Sequence, residues 1–271
     1  MAAMDKFRVG AVNYLNTKPL IYGLDRLAPQ IELLLDLPSR LADRLAAGEL
    51  DVALIPSVEY FHGSGYTIIS DACIACRGPV LSVKLFSRVP AAEIRSLALD
   101  EGSRTSAALV RILLHERYGL DPRLETLPIG AAAADTDADA VLLIGDRAMR
   151  PQPGQFVEVW DLGDTWCRWA ELPFVFAMWT ARAGRDLSGL DAALSEARDL
   201  GLRSLDEIAR RESPALGMSA EDCLGYLRDN LYFYLGPREV RGLEHFYRLA
   251  SHLQLAPQGV ELGLPDCQNS R

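Results

Sequence analysis

An alternation at the start of the chain constrains its fold most. "FRVGAV" is a short apolar run with strand character and "TKPLIYGLDRLA" has helical periodicity. "IELLLDLP" is strand-like again, "SRLADRLAAGEL" is helical, and "DVALIP" is a third strand. Strand–helix–strand units of this length make consecutive strands parallel, because the helix carries the chain back across the sheet before the next strand begins. Ser39 is the expected N-cap of the second helix and Gly48 its stop. In an open parallel sheet, ligands sit beyond the carboxyl ends of the strands. That rule singles out Asn13–Thr17 and Pro56–Ser57 before any motif is considered.

Farther on, "YTIISDACIACRG" and "PVLSVKLFSRVP" read as strands with no helix between them, and Pro90 closes the second. "IRSLALD" opens a fresh βα pattern that continues through "EGSRTSAALVRILLHERYGL", "RLETLPI" and "ADAVLLIGDRAM". "LPFVFAMWTAR" is another strong strand. Most of the remaining chain has the 3.6-residue period of helices, with a helix start at Ser219 ahead of Glu221 and Asp222. The tail "GLPDCQNSR" is expected to be loose. The class is therefore α/β, with mixed sheets and flanking helices. A fresh βα pattern followed by a returning strand predicts two lobes. Residues 1–90 with 172–271 form the first and 91–171 the second, with a ligand cleft between them.

Charge and cysteine content narrow the function. Thirty-seven acidic against 28 basic side chains give a net charge of −9, which lacks the basic footprint of a nucleic-acid binder. No apolar run is long enough to span a membrane. The opening "MAAMDKFRVGAVNYL" has no apolar stretch behind a basic start, so no signal peptide and a cytoplasmic location are expected. Cys73, Cys76, Cys167, Cys223 and Cys267 are odd in number and mostly scattered, which fits reduced thiols. The expected partner is a small molecule.

Motifs for the common cofactor machines are absent: no G-x-G-x-x-G after a strand, Walker loop, H-E-x-x-H, G-x-S-x-G or EF-hand loop. Cys73 and Cys76 form one C-x-x-C, but it lies in strand-like sequence with no second pair and no neighbouring histidine. Five polar clusters sit at element junctions. Ser103, Arg104, Thr105 and Ser106 crowd a helix start, where backbone N–H groups and hydroxyls can hold a carboxylate or phosphate. Helix starts favour hydroxyl residues anyway, so a simple cap at Ser103 explains them equally well. Pro56-Ser57-Val58 has the same two readings. Gly145 and Asp146 end an apolar strand, as a close backbone approach or as a turn. Ser82 is a polar residue in an apolar strand, and Asn13, Asn16 and Thr17 mark the first strand-to-helix junction. Number raises these clusters above their plain readings. None of them supplies a Ser-His-Asp set, so the site suits holding an anion better than attacking it.

Taken together, "VGAVNYLNTKPL", "LPSRLADRLAAGELDVALIPSVEY", "GPVLSVKLFSR", "ALDEGSRTSAALVRILL", "LLIGDRAM" and "LPFVFAMWTAR" resemble the menaquinone-biosynthesis family of the futalosine pathway, nearly end to end. The resemblance implies a type 2 periplasmic-binding-protein-like fold, two lobes on a hinge, working in the cytoplasm. It also implies a hydro-lyase of the branch that dehydrates chorismate to 3-(1-carboxyvinyloxy)benzoate. Aromatisation drives that reaction without a metal or organic cofactor, and the substrate's own enolpyruvyl carboxylate takes the proton. The sister branch makes 1,4-dihydroxy-6-naphthoate and is expected to carry a histidine after the "LLI" strand, where this chain has Gly145. A non-catalytic binding protein for a small carboxylate is the reading from a different class, since this fold commonly serves binding. Carried over by motif, Asn16 and Ser82 are the expected active-site residues. Ser57, Thr105 and Ser106 are expected at substrate carboxylates and hydroxyls, and Gly145 and Asp146 along the second-lobe wall.

Overall fold

The computed structural model of the chain is described for residues 6–63, 65–182, 184, 186–187 and 189–263. The tail beyond Gly263, with Cys267, lies outside these residues. The opening alternation forms β1 (Phe7–Val12), a 3₁₀ segment (Leu15–Ile21), α1 (Leu24–Leu27), β2 (Ile31–Asp36), α2 (Pro38–Ala46), β3 (Val52–Pro56) and α3 (Ser57–His62). Two strands come directly after, β4 (Tyr66–Cys76) and β5 (Val83–Ser87). The second βα series is β6 (Ser96–Asp100), α4 (Thr105–Tyr118), β7 (Arg123–Leu127), β8 (Ala140–Ile144), β9 (Glu158–Asp161) and α5 (Leu162–Ala170). The chain returns through β10 (Phe174–Arg182) to α6 (Leu190–Arg203), α7 (Leu205–Leu216), α8 (Ala220–Gly225), β11 (Tyr232–Tyr234) and α9 (Pro237–His252).

These strands build two mixed sheets, one per lobe. The first runs β11-β4-β10-β3-β1-β2 and the second β7-β6-β8-β5-β9. β1 is parallel to β2 and β3, and β6 to β7 and β8; the remaining pairings are antiparallel. β3 and β8 are buried at every position, which is why "VALIP" and "AVLLI" are continuously apolar rather than alternating. One core runs through both lobes. A smaller one, with Phe86, Leu127, Val141 and Leu143, fills the other face of the second sheet. Among the described residues, no helix is long and apolar enough to cross a membrane.

Several expectations need correction. β5 pairs with β8 and β9, so the first crossing between sheets falls between Cys76 and Val83, not near residue 90. "TKPLIYGLDRLA" is not one helix. Pro19 sits inside a 3₁₀ segment, and Gly23 at φ 69° separates that segment from a single α-turn. α2 starts at Pro38 with Leu37 as its N-cap, ahead of Ser39, because proline's missing N–H costs nothing in a first turn. The short strand β11 interrupts the C-terminal helical stretch, and α5 occupies "LGDTWCRWA" between β9 and β10. Ser219 does cap α8, accepting from the N–H of Asp222 at 3.0 Å.

Candidate active site

Each sheet has one place where successive crossovers leave in opposite directions. In the first it lies between β1 and β3, and in the second between β6 and β8. The loops leaving the carboxyl ends of these four strands face one another across a narrow cleft. Asn16, Ser82, Thr105, Ser106 and Gly145 line it, together with Ser103, Arg104, Tyr14 and an apolar set that includes Ile74, Ile144 and Phe176. Irregular pairing of β4 with β10 between Val175 and Ala177 breaks the strand's alternation, and the successive residues Phe176 and Ala177 both line the cleft.

α4 presents its N-terminus to this space. No side chain caps it, and its N-cap residue is Arg104 rather than Ser103. The first-turn N–H groups have no partner within the helix, and the hydroxyls of Ser103 and Ser106 lie beside them in the lining. Thr105 has a second task. Its Oγ1 accepts from the Val58 N–H at 3.2 Å, in the first turn of α3, whose own N-cap Pro56 has no side chain able to do so. A second-lobe hydroxyl thereby caps a first-lobe helix. Ser57 sits behind Thr105, at 3.4 Å between hydroxyls, and donates to the Val175 carbonyl at 2.8 Å. It is fully buried and does not line the cleft, contrary to its expected substrate contact.

Asp146 shows the same pattern. Its carboxylate accepts from the Leu15 N–H at 3.2 Å, at the uncapped start of the 3₁₀ segment, and it is not part of the lining. Burial pushes its carboxyl above the ordinary range. Gly145 beside it is obligatory. Its φ of 70° and ψ of −161° belong to a region essentially confined to glycine, and a Cβ there would lie 2.8 Å from Tyr14 Cζ. The Tyr14 ring thus packs from the first lobe onto bare backbone of the second. Burial, helped by Asp100, pushes its phenol up to about 12, so it stays protonated. Asp100 holds the second-lobe loops together, accepting from the N–H groups of Gly102 at 3.0 Å and Ile144 at 3.1 Å and pairing with Arg147.

Ser82 enters the cleft from the segment joining the sheets. Leu81 has φ 59°, and the Ser82 N–H donates back to the Val80 carbonyl at 2.7 Å, a strained γ-turn. The Asp161 carboxylate holds this turn, accepting from Val80 at 2.9 Å and Leu81 at 2.6 Å, and also from Asp164 at 3.0 Å as the N-cap of α5. Ser82 Oγ accepts from the buried Tyr226 hydroxyl at 2.8 Å. Tyr14 lies within the strand-end stretch Asn13–Thr17, whereas Asp161 and Tyr226 carried no sequence signal: each is an ordinary residue between elements or on an apolar face, and only the fold brings it to the site.

Among the described residues, the lining contains no carboxylate, lysine or histidine, and Arg104 is its one cation. That cation is engaged across the lobes, with Asp43 of α2 at 2.7 and 2.8 Å and Glu59 of α3 at 3.0 Å. Cys73 and Cys76 are buried within β4, and burial raises both thiols, so neither resembles an exposed redox pair. The cleft therefore offers an apolar slot for a ring and uncharged donors for oxygen anions. It also offers little to serve as a strong base.

Comparison with known proteins agrees with this picture. A curated chorismate dehydratase of Thermus thermophilus is 34% identical over 261 residues, covering 90% of this chain and 94% of that protein. A solved structure of an Archaeoglobus fulgidus protein has a TM-score of 0.75 at 16% identity, covering 93% of this chain and 98% of the other. The periplasmic aliphatic sulphonate binding protein of Escherichia coli gives a TM-score of 0.64 at 15% identity, covering 98% and 99%. These two share the fold, the periplasmic-binding-protein-like arrangement of two lobes. A family model described as "Menaquinone biosynthesis" matches residues 7–252, and with the strand-end cleft and the extended identity it places this chain in the menaquinone-biosynthesis family.

Proposed function

We propose that this chain is a chorismate dehydratase, a hydro-lyase that removes water from chorismate to give 3-(1-carboxyvinyloxy)benzoate. One observation carries the reading beyond kinship: the cleft combines an uncapped helix N-terminus and hydroxyl donors with a lining that, among the described residues, is free of carboxylate, lysine and histidine. Such a site holds a dianion by fixed dipoles and hydrogen bonds, without needing a basic surface. With no side-chain base at hand, the ring proton goes to the substrate's own enolpyruvyl carboxylate. The C–H electron pair becomes a ring π bond, the hydroxyl departs, and the proton joins it as water. The chain's part is orientation and exclusion of water.

On this reading the first-turn N–H groups of α4, including those of Thr105 and Ser106, and the hydroxyls of Ser103 and Ser106 hold a carboxylate, while Asn16 and Ser82 hold the ring and the leaving oxygen. Ser57 and Asp146 act one layer back, by holding Thr105 and the 3₁₀ segment in place. A cytoplasmic setting belongs to the proposal and fits the free thiols of Cys73, Cys76, Cys167 and Cys223. The test is incubation of the purified chain with chorismate, following product by mass spectrometry, beside Asn16→Ala and Ser82→Ala. Intact chorismate after exhaustive incubation would sink the activity. Full turnover by both variants would sink the site.

A further inference from the structure

Tyr226 lies directly behind Ser82, one of the two side chains assigned to the reacting ring. It is buried and opens a π-helical turn, Tyr226–Asn230, that continues α8. Such wide turns displace side chains from the helical register and are common at functional sites. This one grips the segment joining the sheets at two points. The Tyr226 hydroxyl donates to Ser82 Oγ at 2.8 Å, and Asn230 Nδ2 donates to the Pro79 carbonyl at 3.0 Å. Asn16 shares the cleft lining with Ser82, and its Oδ1 accepts from Thr17 Oγ1 at 3.3 Å.

Counting protons gives these bonds a direction. A phenol has one proton, and here it goes to Ser82. Ser82 Oγ is then an acceptor on its inner side, and its own proton has no acceptor among the described residues. That proton faces the cleft that Ser82 lines. Burial pushes the Tyr226 phenol well above its ordinary range, so it keeps its proton near neutral pH.

We infer that Tyr226 is a positioning residue: it holds Ser82 and turns the Ser82 proton into the cleft, making Ser82 a hydrogen-bond donor to the departing oxygen rather than a base. The inference rests on the proposed assignment of Asn16 and Ser82. In the elimination, the Ser82 proton is shared with the leaving hydroxyl and kept. The proton that completes water is the one first taken by the enolpyruvyl carboxylate, so the serine emerges unchanged.

A double-mutant cycle on the intact chain tests this. Tyr226→Phe keeps the buried ring and removes the hydroxyl. It should lower kcat roughly tenfold, the loss expected for one oriented hydrogen bond, and leave KM within about twofold. In a Ser82→Ala background the same change should have no further effect, because a residue acting through another is non-additive with it. Independent, additive losses, or full kcat in Tyr226→Phe, overturn the inference. A second measurement does not depend on how Tyr226→Phe folds. In Ser82→Ala the phenol loses its acceptor, so the near-ultraviolet difference spectrum against wild type should show a tyrosine blue shift; a flat spectrum overturns the bond. If wild type leaves chorismate intact, the activity reading fails by itself. The cycle is then read in calorimetric affinity for 3-(1-carboxyvinyloxy)benzoate, where absence of binding or of coupling overturns the relay.

Discussion

Gly145→Ala probes the closed cleft with a single methyl group. The geometry sets two costs and they separate. The first is backbone: φ 70° and ψ −161° are essentially closed to alanine, and holding a residue there costs about 1–3 kcal/mol. This cost belongs to the second-lobe loop and is present whether or not the lobes meet. The second is contact. The new Cβ would stand 2.8 Å from Tyr14 Cζ and 2.9 Å from Cε1, well inside ordinary van der Waals separation. Overpacking of this kind costs a further 1–3 kcal/mol or so. Because Tyr14 belongs to the first lobe, the contact cost falls only on the closed form. Urea unfolding should therefore report mainly the backbone loss, while ligand affinity falls on top of it by roughly 10- to 100-fold. Adding Tyr14→Ala removes the clash but not the strain, so affinity in the double variant should exceed that predicted by adding the single losses. If Gly145→Ala binds and unfolds like wild type, the packing of Tyr14 on Gly145 does not describe the closed cleft. If the Tyr14 change brings no relief, the contact account is wrong even though the strain account survives.

Further predictions concern the groups behind the lining. Asp161→Ala removes the acceptor of three backbone N–H groups and frees the strained Leu81 turn; stability should fall by about 2–4 kcal/mol and kcat with it, checked by urea melts and turnover, and an unchanged kcat would separate the turn from Ser82's function. Thr105→Val should cost about 1 kcal/mol, typical of a lost helix cap, and calorimetric melting that shows no loss would contradict the inter-lobe cap on Val58. Asp146 gives a pH test. Its carboxyl is raised by burial, so the folded state binds the proton more tightly than the unfolded state, and the stability this lends is full below the unfolded carboxyl pKa and lost as pH rises through the folded one. Asp146→Asn keeps an acceptor for the Leu15 N–H and lacks the charge. It should be at least as stable as wild type at pH 7 and lose that advantage in acid, and a pH-independent difference in melting temperature would refute the assignment.

The parallel strands could be read directly, because a strand buried on both faces is apolar throughout and β3 and β8 are such strands. Their carboxyl ends led to Asn16, Thr105, Ser106 and Gly145, all of which line the cleft. Ser57 and Asp146 belong to the same junctions but turn away from it. One-dimensional patterns locate the end of an element without saying which neighbouring side chain faces the cavity. The early crossing before β5 was illegible for a related reason: "VKLFS" is equally good as a strand in either sheet, and pairing with β8 and β9 decides between them. The γ-turn at Leu81 had no signature either, since a leucine at positive φ persists only because Asp161, 80 residues away, holds it.

By itself, then, the sequence determined the alternation of elements, the two lobes and the strand-end junctions that make a site, all properties of local periodicity and turn chemistry. Tertiary structure decided how those junctions work. Tyr14 covers Gly145, Thr105 and Asp146 cap helices of the opposite lobe, and Tyr226 reaches Ser82. Each of these contacts joins residues from about 50 to about 140 positions apart. Their partners are selected by packing and by the need to satisfy buried donors, and neither requirement leaves a trace in the local sequence.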